Sequence, residues 1–134
     1  MKIISTHKGT DFDALASVVA ASLIYPDAVT VMSDNMNPNV KAFLSLHKEL
    51  FHITAPGDIN LSDVKTLIAV DVCSWGRIEG LGKLKDRKDL EIIIWDHHVG
   101  GDMHPTWKCQ EPKGATVTLI ARKLMENRTP ITPI

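Results

Sequence analysis

The chain has 134 residues, of which 44% are hydrophobic and 23% charged, with a formal net charge of −1. This length suits one domain that buries most of its apolar surface, and the near-neutral charge argues against a strong electrostatic grip on nucleic acid by this domain alone. No apolar run approaches the roughly 20 residues that span a membrane, and the first residues do not resemble a signal peptide. Cys73 and Cys109 fit neither a metal-binding nor a disulfide pattern, so we interpret both as reduced, buried thiols and expect a cytoplasmic protein.

Strand-like and helix-like segments alternate along the chain. Runs of β-branched and other apolar residues predict strands at residues 2–6, 28–33, 50–54, 66–72 and 91–97. Apolar residues at helical spacing predict helices at residues 13–25, 38–49 and 114–127. The alternation predicts an α/β fold with an open, mostly parallel five-stranded sheet and helices on both faces. Residues 1–134 are expected to form one domain that is incomplete at its C-terminus, because Ile131 and Ile134 follow the last helix with nothing to pack against.

Acidic and imidazole side chains follow three of the predicted strands. The first strand leads to His7, Asp11 and Asp13, the fourth ends near Asp71, and the fifth ends in an Asp-His-His tripeptide at residues 96–98. In open α/β sheets this edge binds ligands, so these groups should converge there. Divalent ions would remove the repulsion and desolvation cost of such a cluster. Five or six groups suit two ions about 3.5–4 Å apart, which can activate water for displacement at phosphorus.

Simpler structural roles remain open for each of these residues. Asp11 or Asp13 can cap the helix that follows, and Asp71 can cap the short turn after its strand. His97 and His98 can be hydrogen-bonded residues of a strand end; if their backbone is extended, the two rings point to opposite sides and cannot both bind one ion. An aspartyl-phosphate enzyme is disfavoured, because in such proteins the apolar strand runs directly into the first aspartate.

The ordered set His7-x-x-x-Asp11-x-Asp13, Asp71 and Asp96-His97-His98 resembles the first three motifs of the DHH phosphoesterase superfamily. This superfamily includes single-strand-specific exonucleases, oligoribonucleases, cyclic dinucleotide phosphodiesterases, exopolyphosphatases and type II inorganic pyrophosphatases. The resemblance implies a manganese-dependent phosphoesterase. Its substrate would be a phosphodiester, phosphomonoester or phosphoanhydride in a nucleotide, oligonucleotide or polyphosphate, cleaved by two-metal activation of water.

The resemblance also implies residue roles. One manganese ion would be bound by His7, Asp11 and Asp71, and a second by Asp13, Asp71 and His97, with cobalt, magnesium or zinc as alternatives to manganese. The catalytic residues would be His98, facing the substrate phosphate, and Asp96, supporting the site. The phosphate-binding residues would be Lys8, Gly114 and Thr116. Contact with phosphate is left open for three other basic residues, which are preferably interpreted as solvated surface charges: Arg77, Lys113 and Arg122.

Two features depart from the family pattern. No aspartate near the end of the chain matches the family's further metal ligand, and the smaller C-terminal domain with its Gly-Gly-Gly-His type motif is missing. Expected partners are a phosphate-containing small molecule or short oligonucleotide and further domains of the full-length chain, without a membrane; a homodimer is left open. The sequence also resembles the N-terminal part of bacterial proteins that join a DHH domain to CBS domains and a tRNA-nucleotidyltransferase-like module. A non-catalytic nucleotide- or metal-sensing domain that regulates such a module is therefore the alternative function.

Overall fold

A parallel sheet of five strands forms the centre of the structure, a computed structural model that describes residues 1–47, 49, 51–96, 101–103, 105 and the backbone of 107–110. The strands are β1 Lys2–Ser5, β2 Val29–Thr30, β3 Thr66–Val70, β4 Glu91–Asp96 and β5 Trp107–Gln110. The α-helices of the described residues are α1 Phe12–Ile24 and α2 Pro38–Leu46. Short 3₁₀ helices occupy Pro56–Asp58, Leu61–Asp63, Trp75–Arg77 and Gly82–Asp86.

The strand order is β2-β1-β3-β4-β5, and every neighbouring pair is parallel. Helix α1 covers one face, where Val18 and Ala21 pack with apolar side chains from the sheet. The opposite face is covered, among the described residues, by segments that include 3₁₀ helices and contribute Trp75, Leu81 and Leu84 to the core. The predicted α/β fold with a parallel sheet is therefore confirmed. Within the residues the structure describes, none of the helices has the length and apolar content needed to span a bilayer.

Four of the five predicted strands are present, but the strand predicted at residues 50–54 is wrong. Thr54 forms only an isolated parallel bridge with Val31, and Ile53 instead packs against the core on the α1 side. The run is apolar because it covers the edge of the sheet beside the short strand β2. The fifth strand is β5, whose sequence "WKCQ" carries no apolar run that would mark it.

Two of the three predicted helices are present. Helix α1 begins one residue earlier than predicted, and α2 ends at Leu46 rather than at residue 49. Pro38 occupies the first turn of α2 and Asn37 caps it, as the sequence pattern favours at a helix start. The third predicted helix, at residues 114–127, lies outside the described residues.

Alternating side chains of the sheet enter two separate apolar clusters. On the α1 side, Ile4, Ile68 and Trp95 are buried, and the Trp95 indole N–H donates to the Tyr25 hydroxyl at 3.2 Å. On the other side, neighbouring residues such as Ile3 and Leu67 are fully buried among the side chains of the 3₁₀ segments. Because both faces are covered, the strands are continuously apolar, as parallel sheets require. The polar residues are left to the strand ends.

Gly101 allows the chain after β4 to pack closely against Cys73, which follows β3. Its φ is +101°, and a Cβ there would lie 2.3 Å from the Cys73 carbonyl oxygen and 2.5 Å from its Sγ. Met103 N–H donates to the same carbonyl at 3.1 Å, so the backbone cannot easily withdraw. Any side chain at this position would therefore force the two segments apart.

We expect Gly101→Ala to lower the free energy of unfolding by about 2 kcal/mol or more, through overpacking and an unfavourable φ. The matched control is Gly57→Ala, where a Cβ meets no atom within 4 Å and φ is not positive. Urea unfolding of both variants measures the difference. Equal stability of the two would contradict the close approach of Gly101 to Cys73.

Candidate metal centre

The chain reverses its winding direction between β1 and β3. From β1 it passes through α1 to β2 at one edge of the sheet, whereas β3 leads to β4 on the other side. In open α/β sheets the crevice at such a switch point, outside the carboxyl ends of the strands, is where ligands bind. His7 follows β1 and Asp71 follows β3, so both lie at this crevice.

The register of the sheet aligns the polar residues of three strand ends. Ser5 pairs with Ala69, and the same offset of 64 residues relates His7 to Asp71, whose side chains are hydrogen-bonded. Thr66 pairs with Glu91, and continuing that register brings Asp71 level with Asp96 at the end of β4. Consistent with this, the Asp71 N–H donates to the Trp95 carbonyl at 2.8 Å. Strand pairing thus places one residue of each motif, His7, Asp71 and Asp96, side by side.

His7 is held in an orientation suited to a metal ligand. Its Nδ1 lies 2.8 Å from the Lys8 carbonyl oxygen, which can only accept, so Nδ1 carries a hydrogen. Its Nε2 lies 3.3 Å from Asp71 Oδ2, and both side chains are buried. The hydrogen bond that His7 donates to the Asp71 carboxylate raises the pKa of His7, although burial and the Arg77 charge oppose this effect. A metal ion at this place would bind Nε2 of His7 in place of the hydrogen that Nε2 shares with Asp71.

Asp71 has an unusual backbone conformation. Its φ is +58°, the left-handed region, which aspartate tolerates better than most residues but which still costs free energy. The reversal ends β3 and occurs at a residue that is only 3% exposed. Strain of this kind at a buried acidic residue is typical of functional sites.

Asp11 is both the cap of α1 and a member of the polar cluster. Its Oδ1 accepts a hydrogen bond from the Ala14 N–H at 2.8 Å, so the capping role that the sequence left open belongs to Asp11. One ligand atom from each of His7, Asp11 and Asp71 nevertheless lies within 4.8 Å of the others. A carboxylate has two oxygens, and capping uses one of them. An imidazole with two carboxylates is a donor set that manganese or zinc accepts.

The other predicted site residues are placed less completely. Asp13 is half-buried in the first turn of α1, and Asp96 is fully buried. Lys8 is exposed beside His7. Four predicted residues lie outside the described part of the chain: His97, His98, Gly114 and Thr116.

Two residues near the centre carried no sequence signal of their own. The Thr10 hydroxyl donates to the His7 carbonyl at 2.9 Å and so fixes the loop between β1 and α1. Cys73 is a free, buried thiol; burial raises its pKa to about 11, with a further contribution from a hydrogen bond with Asp96. The expectation of a reduced, buried cysteine is confirmed for Cys73. Thr10 could have been noticed only because it lies inside the first motif.

The whole sequence matches a known protein family. The profile described as the DHH family, N-terminal domain, matches residues 2–133. The chain belongs to the DHH family. The resemblance seen in the ordered motifs is therefore confirmed over essentially the whole sequence.

Two curated relatives are much longer than this chain. An A-adding tRNA nucleotidyltransferase of Geobacter sulfurreducens is 34% identical over 137 residues, covering 100% of this DHH chain and 16% of the relative. A second A-adding tRNA nucleotidyltransferase, of Aquifex aeolicus, is 25% identical over 132 residues, covering 98% of the chain and 15% of the relative. The chain thus spans about one sixth of the length of the curated relatives it matches.

Solved structures share the fold. An exopolyphosphatase-related protein from Bacteroides fragilis superposes with a TM-score of 0.74 at 15% identity, over 93% of this chain and 39% of the other. A putative family II inorganic pyrophosphatase from Methanococcus jannaschii superposes with a TM-score of 0.67 at 23% identity, over 95% and 40%. At these identities the likeness establishes the DHH-domain fold.

The His7–Asp71 contact predicts a measurable pH effect in the metal-free protein. Because the Asp71 hydrogen bond raises the pKa of His7, Asp71→Asn should lower the pKa of His7. The contact stabilises the metal-free fold below the ordinary histidine pKa, and this stability is lost as the pH rises through the raised value. NMR titration of the histidine ring protons measures the change, with Asp58→Asn as an exposed control. An unchanged His7 pKa in Asp71→Asn would contradict the geometry.

Proposed function

We propose that this chain is a metal-dependent phosphoesterase domain. It would hydrolyse a phosphodiester, phosphomonoester or phosphoanhydride of a nucleotide, oligonucleotide or polyphosphate. The observation that carries the proposal is the cluster of His7, Asp11 and Asp71 ligand atoms within 4.8 Å of one another at the switch point of the sheet. Membership of the DHH family and the shared fold of the exopolyphosphatase-related and pyrophosphatase proteins support it.

The charge balance of the site favours bound cations. Asp71 and Asp96 are buried at 3% and 0% exposure and are brought level by the register of β3 and β4. Two buried carboxylates side by side repel one another. Asp11 adds a third acidic group at the same edge. Divalent cations offset this cost, whereas a purely structural role offers no reason to gather the three groups.

The proposal assigns two cation sites. His7, Asp11 and Asp71 form the first, and Asp13, Asp71 and His97 form the second, so that Asp71 bridges them. Manganese is the first choice, because mixed imidazole and carboxylate ligands suit it better than calcium. When bound, two such ions would supply an activated water and charge stabilisation for displacement at phosphorus.

Backbone and side-chain contacts of the protein hold the ligand residues in this arrangement. The Lys8 carbonyl keeps the Nδ1 hydrogen of His7, so its Nε2 is directed at the site. The Asp71 N–H bond to Trp95 fixes the strained backbone of the bridging carboxylate. Asp96 supports the site from its buried position at the end of β4, where it is hydrogen-bonded with Cys73.

The substrate phosphate is assigned to a separate set of groups. In the proposal the phosphate faces His98, Lys8, Gly114 and Thr116. A helix beginning near Gly114 would offer N–H groups to an anion. Because Cys73 is a free buried thiol, we also place the protein in the cytoplasm.

A second candidate is a non-catalytic domain that senses nucleotide or metal and regulates an attached module. The relatives named A-adding tRNA nucleotidyltransferases favour it, because this chain matches only 16% and 15% of their lengths. The retention of His7, Asp11 and Asp71 in ligating proximity favours catalysis instead. Both candidates require the same cation, so turnover is what separates them.

We expect Asp71→Asn to abolish manganese-dependent phosphoesterase activity in the complete protein, because it removes the bridging charge while asparagine still tolerates the left-handed backbone. The loss should reach at least about a hundredfold, since a metal ligand is removed from the reacting centre. Hydrolysis of inorganic pyrophosphate and of a dinucleotide, measured with Mn²⁺ after chelator treatment, tests this. Asp58→Asn, exposed in a 3₁₀ helix, should leave the rate unchanged.

Full activity in Asp71→Asn would refute the two-cation assignment. Tight Mn²⁺ binding by the unaltered protein without hydrolysis of either substrate would favour the sensing domain instead. Calorimetry with Mn²⁺ distinguishes this result from a protein that binds no cation at all.

A further inference from the structure

Arg77 lies at the strand-end edge of the sheet that carries the candidate metal centre. It ends the 3₁₀ helix Trp75–Arg77, directly after the β3 end that carries Asp71. Its side chain is exposed, and in the described part of the chain it forms no ion pair or side-chain hydrogen bond. A guanidinium beside a group of carboxylates normally pairs with one of them. Here Arg77 remains available to another anion.

The backbone around Arg77 is tied to the metal-binding loop. The Lys8 N–H donates to the Arg77 carbonyl at 2.6 Å, so the residue after His7 is bonded directly to Arg77. On either side of Arg77, Trp75 and Ile78 are buried at 7% and 5% exposure, and the Ile78 N–H donates to the Trp75 carbonyl at 3.1 Å. These contacts hold the Cα of Arg77 in place while its side chain stays free to reach a ligand.

A further bridge steadies the same segment. The Asn35 side-chain amide donates to the Glu79 carboxylate at 3.1 Å. The backbone carbonyl of Asn35 accepts a hydrogen bond from the Gly9 N–H at 2.7 Å. Residues that follow β1, β2 and β3 are thereby joined at one edge of the sheet. The backbone of Arg77 is therefore positioned by contacts among the segments that follow β1, β2 and β3.

We propose that Arg77 binds the substrate phosphoryl group, donating two parallel N–H bonds to its non-bridging oxygens. Arginine matches a phosphate in this bidentate way, which the point charge of lysine does not. The inference rests on the proposed function, because it assumes that the ligand of the centre is a phosphoryl group. It adds a substrate contact from the residues after β3 to those expected after β1 and β4.

The test uses the complete protein loaded with Mn²⁺ and phenylphosphonate, a phosphoryl analogue that has no hydrolysable ester bond and no nucleobase. Relaxation of the phosphorus-31 nucleus by the bound Mn²⁺ reports both the affinity of the analogue and its proximity to the ion. The variants are Arg77→Ala, Arg77→Lys and the control Lys88→Ala. Lys88 is exposed and lies before the amino-terminal end of β4, at the ends of the strands opposite the metal centre. Lys88→Ala therefore removes one positive charge, as Arg77→Ala does, but far from the centre.

We expect Arg77→Ala to weaken phenylphosphonate binding by about 10- to 100-fold, as for other hydrogen bonds between charged groups. Arg77→Lys should recover only part of this affinity, and Lys88→Ala should bind as the unaltered protein does. Mn²⁺ affinity, measured by calorimetry, should not change in either Arg77 variant. Affinity for the analogue equal to that of the unaltered protein in Arg77→Ala, or loss of Mn²⁺ binding in that variant, would overturn the inference.

Hydrolysis is measured separately on the unaltered protein, which keeps the two proposals distinct. Analogue binding that depends on Arg77, without hydrolysis of any phosphate ester, would refute the phosphoesterase and leave the Arg77 contact standing. Hydrolysis that Arg77→Ala leaves unchanged would refute the Arg77 contact and leave the phosphoesterase standing.

Discussion

The parallel pairing of β1 with β3 is the constraint on which the rest of the site depends. It sets the offset of 64 residues that brings His7 Nε2 to within 3.3 Å of Asp71 Oδ2. A shift of this register by one residue would turn each side chain to the opposite face of the sheet. The apolar core on both faces specifies the register strongly, since Ile3, Ile4, Leu67 and Ile68 are all fully buried. Packing far from the polar edge thus determines the chemistry at that edge.

The polar edge is in turn built as one connected unit. Asp11 caps α1, Thr10 fixes the His7 carbonyl, and the Lys8 N–H joins the β1 loop to Arg77 after β3. These hydrogen bonds satisfy backbone groups that the helix start and the strand ends leave unpaired. Among the described non-glycine residues, Asp71 alone has a positive φ, and it is buried. The surrounding bonds hold that residue in a conformation it would not adopt by itself.

The sequence predicts the convergence of the motifs but not their alignment. Residues such as His7 and Asp71 follow predicted parallel strands, and parallel strands share a carboxyl edge, so proximity follows from the fold class alone. The alignment of Asp71 with Asp96 depends on strand order, which local patterns do not contain. The apolar run at 50–54 misleads because packing against a sheet edge and pairing within a sheet demand the same residues.

The most direct measurement is an anomalous-scattering map, recorded at the manganese edge from crystals of the protein grown with Mn²⁺. We expect a peak about 2.0–2.3 Å from His7 Nε2 and at the same distance from one carboxylate oxygen of each of Asp11 and Asp71. Asp71 would also contact any second peak. A map with no peak at this edge of the sheet, in crystals where Mn²⁺ binds elsewhere, would contradict the account.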